Sequence, residues 1–228
     1  MITQRLQQLS LKRKEFVLRV DDLELHRGRT YAVLGPNGCG KSSLLDILGL
    51  LAVPDHGNVV VKEEPVDYSS RRALTTARCG IAYLMQDPYL FNTTVLRNVM
   101  LPLKLRHMTP DSILARASEI LEMLGLDSLA DRNVRELSGG EAQRTALART
   151  LAIDADLVLL DEPTANVDRA NIARVESAIL KLASEHSATV VVTTHSETQA
   201  ARISEFLVRV DDGRITEIEE NPARIFDQ

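Results

Sequence analysis

The sequence predicts an α/β fold: a mostly parallel sheet flanked by helices, with an antiparallel β part at the N-terminus and a helical subdomain inserted in the core. Three observations predict it. A short apolar strand, Tyr31-Ala32-Val33-Leu34, stops at Gly35-Pro36-Asn37-Gly38, and apolar residues then restart at 44, 45, 47, 48 and 51 with helical spacing. Two later runs, Leu157-Val158-Leu159-Leu160 and Thr189-Val190-Val191-Val192, lack polar alternation, as strands covered on both faces of a parallel sheet do. From about 88 to 140 the texture is helical, with apolar residues at 113, 114, 117, 120, 121 and 124 ending at Gly125.

The other elements follow in chain order. Phe16-Val17-Leu18-Arg19-Val20 and Leu23-Glu24-Leu25 alternate and close at Arg27-Gly28, which reads as antiparallel strands within 1–30. Val59-Val60-Val61 and Ile81-Ala82-Tyr83-Leu84 read as further strands, and 169–186 as a helix between the two apolar runs. The segment from Glu205 to Ile218 reads as a hairpin turning at Asp211-Asp212-Gly213. The expected division is one domain over 1–228: an antiparallel part at 1–30, an α/β core at 31–87 and 141–228, and a helical subdomain at 88–140.

Composition narrows the function. With 228 residues, 44% apolar and 26% charged, the chain can bury a full core but not form a long array. A net charge of −5 and an aromatic content of 4% without Trp disfavour binding to nucleic acid. The most apolar stretch, 44–53, is ten residues long and interrupted by Asp46, about half of a bilayer span. No membrane crossing is expected, and the N-terminus lacks the pattern of a secretory signal. Two cysteines, Cys39 and Cys79, fit neither a metal spacing nor a disulfide framework, so a reducing cytosol is the default.

Gly35-Pro36-Asn37-Gly38-Cys39-Gly40-Lys41-Ser42 matches the phosphate loop G-x-x-x-x-G-K-[ST], between a predicted strand and a predicted helix. Its glycines let backbone N–H groups turn inward around phosphates, and the helix N-terminus adds its positive end. Lys41 would then reach the β- and γ-phosphates and the Ser42 hydroxyl would ligate Mg²⁺. The core is thereby expected to be of the P-loop NTPase type. Cys39 lies in the same loop near Lys41 and a helix start, both of which favour thiolate, so a reactive thiol protected by nucleotide is expected.

The run Leu157-Val158-Leu159-Leu160-Asp161-Glu162 supplies the second half of such a site. A buried strand ending in two acids puts them at the carboxyl edge of the sheet, where ligands bind in these folds. Asp161 would hold Mg²⁺, and Glu162 would orient or deprotonate the attacking water. Leu137-Ser138-Gly139-Gly140-Glu141 reads locally as a capping box, Ser-x-x-Glu, opening a helix. Two glycines in the first turn go beyond capping, because they let a second phosphate approach the helix N–H groups.

Together these residues resemble the ATP-binding cassette (ABC) ATPases, with motifs in the family's order over nearly the whole chain. The loop from Gly35 to Ser42 looks like Walker A, Gln86 like the Q-loop glutamine, and Leu137 to Glu141 like the signature. Leu157 to Glu162 looks like Walker B, Ala165-Asn166-Val167-Asp168 like the D-loop, and His195 like the switch histidine. The resemblance implies a head-to-tail dimer, as a homodimer or with a related subunit, in which ATP on Lys41 of one chain is covered by Ser138, Gly139 and Gly140 of the other. It implies further that His195 contacts the γ-phosphate, and that Gln86 reaches Mg²⁺ or water.

Three departures stand out. Where the family stacks adenine on an aromatic ring, this chain has Leu11, Lys12, Arg13, Lys14, Glu15 and Phe16, so Phe16 is the only candidate and is equally a candidate core residue. Ser43 stands where threonine is commoner, and in the D-loop only Asp168 carries over. A transporter reading requires separate membrane permease subunits, with the cassette at the cytoplasmic face and a separate solute-binding protein. Asp87-Pro88-Tyr89-Leu90-Phe91-Asn92-Thr93-Thr94-Val95 resembles the tungstate- and molybdate-type anion importers, implying import of a small oxyanion. The alternatives are a lipoprotein-release or efflux cassette, and a non-transport ATPase.

Overall fold

The structure is a computed structural model and describes residues 1–106 and 108–222. In chain order the elements begin with β1 (Ile2–Arg13), β2 (Phe16–His26), β3 (Thr30–Leu34), α1 (Lys41–Leu48), β4 (His56–Val61), β5 (Glu64–Pro65), α2 (Arg71–Arg78) and β6 (Ile81–Leu84). The helical block follows with α3 (Val95–Leu105), α4 (Pro110–Met123) and α5 (Gly139–Leu151). The chain then returns through β7 (Leu157–Asp161), α6 (Arg169–His186), β8 (Thr189–Thr194), α7 (Glu197–Ile203), β9 (Phe206–Asp211) and β10 (Arg214–Glu220).

The strands join one mixed sheet in the order β5-β4-β1-β2-β10-β9-β3-β8-β7-β6. Strands β9, β3, β8, β7 and β6 run parallel, and every residue of β3, β7 and β8 is buried, as their unalternated apolar sequences require. In the other half β10 runs antiparallel to β9 and meets β2 in parallel at Arg214 and Arg19. There β1 pairs antiparallel with β2 along its length, and β4 and β5, from beyond residue 30, extend that antiparallel part. The two N-terminal runs expected as separate strands form the single strand β2. The polar pair Asp21-Asp22 breaks the apolar alternation, yet Asp22 keeps its place opposite Gln7 and accepts two hydrogen bonds from Arg5.

Apolar side chains fill both faces. One cluster joins β1, β2, β3 and α1 around Leu6, Leu18, Tyr31, Leu44 and Ile47, and the other joins β6, β7 and β8 to helices α3 to α6 around Val99, Ile120, Leu147 and Ile179. Helix α2 escaped the sequence reading because none of its residues is fully buried. Among the described residues, no helix is long and apolar enough to cross a membrane.

Helix starts differ in how their first N–H groups are capped. Ser70, Thr94, Thr109, Ser138, Asp168 and Ser196 each cap a helix with a side-chain oxygen, on α2 to α7 respectively. Helix α1 starts on Gly40, and no side chain caps it. Its first N–H groups therefore lack the side-chain partner that every other described α-helix supplies.

Candidate active site

Because β3, β8, β7 and β6 are parallel, their carboxyl ends lie on one edge of the sheet. A cleft of about 720 Å³ opens there. The phosphate loop leaves β3 and enters α1 on one side of it. Gly40, at φ +113°, takes a backbone conformation that disfavours any side chain, and a Cβ there would sit 2.7 Å from Cζ of Phe16. Lys41 is buried and its ammonium folds back across the loop, donating to the carbonyls of Gly35 at 2.8 Å and Pro36 at 2.9 Å. Asn37, Gly38, Ser42 and Ser43 line the same cleft.

The opposite wall comes from β7 and β8. Asp161 ends β7 almost fully buried, and its Oδ1 accepts from Thr193 Oγ1 at 2.5 Å. Glu162 follows in the left-handed region at φ +48°, which costs roughly 1–3 kcal/mol and persists only where neighbours hold it. Its N–H donates to the same Thr193 hydroxyl at 3.0 Å. The Glu162 carboxylate lies 4.0 Å from Nδ1 of His195, whose side chain is 75% exposed. Gln86, just past β6, completes the lining. Below it, Tyr83 donates to Asp46 of α1 at 3.2 Å, and burial together with the carboxylates of Asp46 and Asp161 pushes its phenol pKa up, so it stays a neutral donor.

Phe16 both lines the cleft and packs against the core cluster of β1, β2 and α1. Cys39 does not line the cleft: it is 4% exposed and packed in that same core, with its sulfur against Gly35. The expectation of a reactive thiol in the loop is therefore corrected, since a thiol packed in the core is not reachable by reagent. The exposed cysteine is Cys79.

Ser138, Gly139 and Gly140 lie at the start of α5 and are not among the residues that line the cleft. Both arms of the expected capping box form: Ser138 N–H donates to Glu141 Oε2 at 2.7 Å, and Glu141 N–H donates to Ser138 Oγ at 3.3 Å. The Ser138 N–H holds the Glu141 carboxyl below its ordinary pKa. Gly140 has a packing reason that the sequence did not show, because a Cβ there would come within 2.6 Å of the Asn166 carbonyl. Around Gly139 the nearest such atom is 3.8 Å away, so its missing side chain leaves the helix start open.

Comparison with known proteins decides the family. The family described as ABC transporter matches residues 18–165, well over half of the chain. The chain belongs to the ABC transporter family. LolD 1 of Rhodopseudomonas palustris, the ATP-binding protein of a lipoprotein-releasing system, is 39% identical over 202 residues, covering 87% of this chain and 89% of its own. TupC of Peptoclostridium acidaminophilum, the ATP-binding protein of a tungstate uptake system, is 35% identical over 201 residues, covering 88% and 90%. A solved dimer of the ATP-binding cassette MJ0796, in a post-hydrolysis state with ADP and Pi, superposes with a TM-score of 0.86 at 30% identity, covering 95% of this chain and 98% of that one.

This ABC cassette is thus an ATPase subunit with the expected fold, and the family binds ATP. In the ABC frame, Asn37, Gly38, Gly40, Lys41, Ser42, Ser43, Gln86, Asp161, Glu162, His195 and Phe16 converge on one cleft, whereas Gly35, Pro36, Cys39, Ser138, Gly139 and Gly140 do not line it. Sequence reasoning missed Thr193, which ties both acids together. Its only sequence signal is a hydroxyl two places before His195 at the end of an apolar strand.

Proposed function

We propose that the cassette hydrolyses ATP at sites shared by two copies and uses that cycle to drive a separate membrane permease from the cytoplasmic face. The carrying observation is the start of α1. It alone among the described α-helices has no side-chain cap, and it opens beside Lys41 into a cleft whose far wall ends in Asp161 and Glu162. Uncapped N–H groups at a helix start, next to an ammonium, suit the phosphates of a nucleotide. In this reading Lys41 releases the Gly35 and Pro36 carbonyls for the phosphates, Phe16 borders the adenine, Glu162 is the base toward water, and His195 contacts the γ-phosphate.

The donor set fits Mg²⁺. Ser42, Gln86 and Asp161 offer oxygen ligands to the same cleft, and among the described residues no three His, Cys, Asp or Glu side chains converge as a metal cage. That suits a cation that takes its other ligands from phosphate and water. When bound, it would neutralise charge on the β- and γ-phosphates.

The signature residues lie outside their own chain's cleft, which supports a composite site closed by Ser138, Gly139 and Gly140 of a second copy. Lys41→Ala and Ser138→Arg homodimers should each be nearly inactive. Mixing them forms heterodimers with one intact site, so activity should return. Near-normal activity of the Ser138→Arg homodimer would remove the signature from the site.

For cargo we propose a small oxyanion, delivered by a separate binding protein, on the likeness to the tungstate-system relative and the stretch from Asp87 to Val95. Lipoprotein release is the second reading, favoured by the 39% identical relative. Co-purification with a polytopic membrane protein, followed by ATPase assays with tungstate plus binding protein or with lipoprotein, separates the two. Stimulation by lipoprotein alone would sink the oxyanion reading.

A further inference from the structure

We propose that Gln199 is a positioning residue for hydrolysis, holding the strand end that carries His195 against the turn that carries Glu162. The inference rests on the reading of Glu162 and His195 given above. Those two side chains do not hold each other, since 4.0 Å between His195 Nδ1 and Glu162 Oε1 is beyond a hydrogen bond and the imidazole is largely exposed. Their spacing must be set by the backbone segments they stand on.

One tie is Thr193, already described. The other leaves the opposite face of β8. Thr194, the residue before His195, donates from Oγ1 to Gln199 Oε1 at 2.7 Å. Gln199 Nε2 donates to Thr164 Oγ1 at 2.9 Å and to Glu176 Oε1 at 3.4 Å. Thr164 lies in the turn closed by the Ala165 N–H on the Glu162 carbonyl at 3.0 Å. Glu176, on α6, also accepts from Arg202 at 2.9 and 2.7 Å. One amide thus joins the end of β8, the turn after Glu162 and the helix that follows the Asp168 cap.

The chemistry of the group is specific. Thr194, Gln199 and Glu176 are all buried, and a buried amide is costly unless both its ends are used. A carboxylate such as Glu176 only accepts, which fixes the amide nitrogen toward it and the oxygen toward Thr194. Leucine would fill the space with no hydrogen bond. Glutamate would keep the acceptor but lose both donors and face Glu176 with a second negative charge. Packing alone does not call for glutamine here.

The test compares Gln199→Leu, Gln199→Glu, Thr194→Val and Thr194→Ser, with Glu162→Gln and His195→Ala as references. Loosening the pair should lower kcat about 10- to 100-fold, since small misplacement of reacting groups costs on that order. KM for ATP should stay within about twofold, because nucleotide binding rests on the phosphate loop. Thr194→Ser should run near wild type, and Thr194→Val combined with Gln199→Leu should be no slower than either alone, because both break one linkage. A lower melting temperature with unchanged kcat, additive losses in the double variant, or parallel changes in kcat and KM would overturn the proposal. If Gln199→Leu does not fold, Thr194→Val against Thr194→Ser decides on the same criteria. If both references are inactive while the Gln199 and Thr194 variants turn over normally, only the positioning role falls. Normal hydrolysis by His195→Ala overturns the underlying pair, and this role with it.

Discussion

The hydroxyl of Thr193 donates to Asp161 at 2.5 Å and accepts from the N–H of Glu162 at 3.0 Å, so one side chain of β8 holds both acids at the end of β7. The Asp161 contact spans 32 positions of sequence and the Glu162 contact 31, and together they place the Asp161 carboxylate and the Glu162 backbone under a common restraint.

Replacing it with Thr193→Val keeps the shape and removes the hydroxyl. The buried Asp161 carboxylate and the Glu162 N–H then lose a partner, which should cost about 1–3 kcal/mol of stability. Urea unfolding measures this, and Thr193→Ser should recover most of it. Equal stability of the Val and Ser variants would show that the hydroxyl is dispensable.

Glu162→Gln should leave ATP binding intact and lower hydrolysis by about 10²–10⁴-fold, the typical worth of a positioned base. The variant should accumulate as an ATP-bound dimer on gel filtration. Turnover within tenfold of wild type would remove Glu162 from that role.

Thiol chemistry should follow burial and not motif membership. Maleimide should label Cys79 quickly and Cys39 only on unfolding, because Cys79 is exposed and Cys39 is packed in the core. ATP should not change the Cys79 rate. Fast labelling that survives in Cys79→Ala and is blocked by ATP would restore the reading of Cys39 as a reactive loop thiol.

The start of α5 should respond to acid. Since the Ser138 N–H lowers the Glu141 carboxyl, the cap contributes stability above the ordinary carboxylate range and loses it as pH falls through the lowered value in the folded protein. Amide exchange at Ser138 should therefore become less protected in acid, beyond the intrinsic pH effect. Glu141→Gln should abolish this response. A pH response that survives that substitution would assign it to another group.

Legibility differed by element for physical reasons. The phosphate loop, the paired acids and the capping box are contiguous in sequence, so their spacing carried the chemistry, and the helix Arg169–His186 matched its predicted span because its apolar residues recur on one face. Helix α2 lacked that signal, having no fully buried residue, and the two short runs that form β2 were split by Asp21 and Asp22, of which Asp22 pairs with Gln7 across the sheet.

By itself, then, the sequence determined that a strand, a glycine loop and a helix would follow one another, and that two acids would stand at the end of a buried strand. Both are properties of a few consecutive residues whose backbone preferences are local. Only the tertiary structure decided that Cys39 faces the core, that Gly140 is needed for close approach of the Asn166 carbonyl, and that Thr193 and Gln199 tie the end of β8 to the acids on β7 from two sides. Each of these depends on which strands and turns become neighbours across the sheet, and that is settled by the packing of distant apolar faces, which no short window of sequence contains.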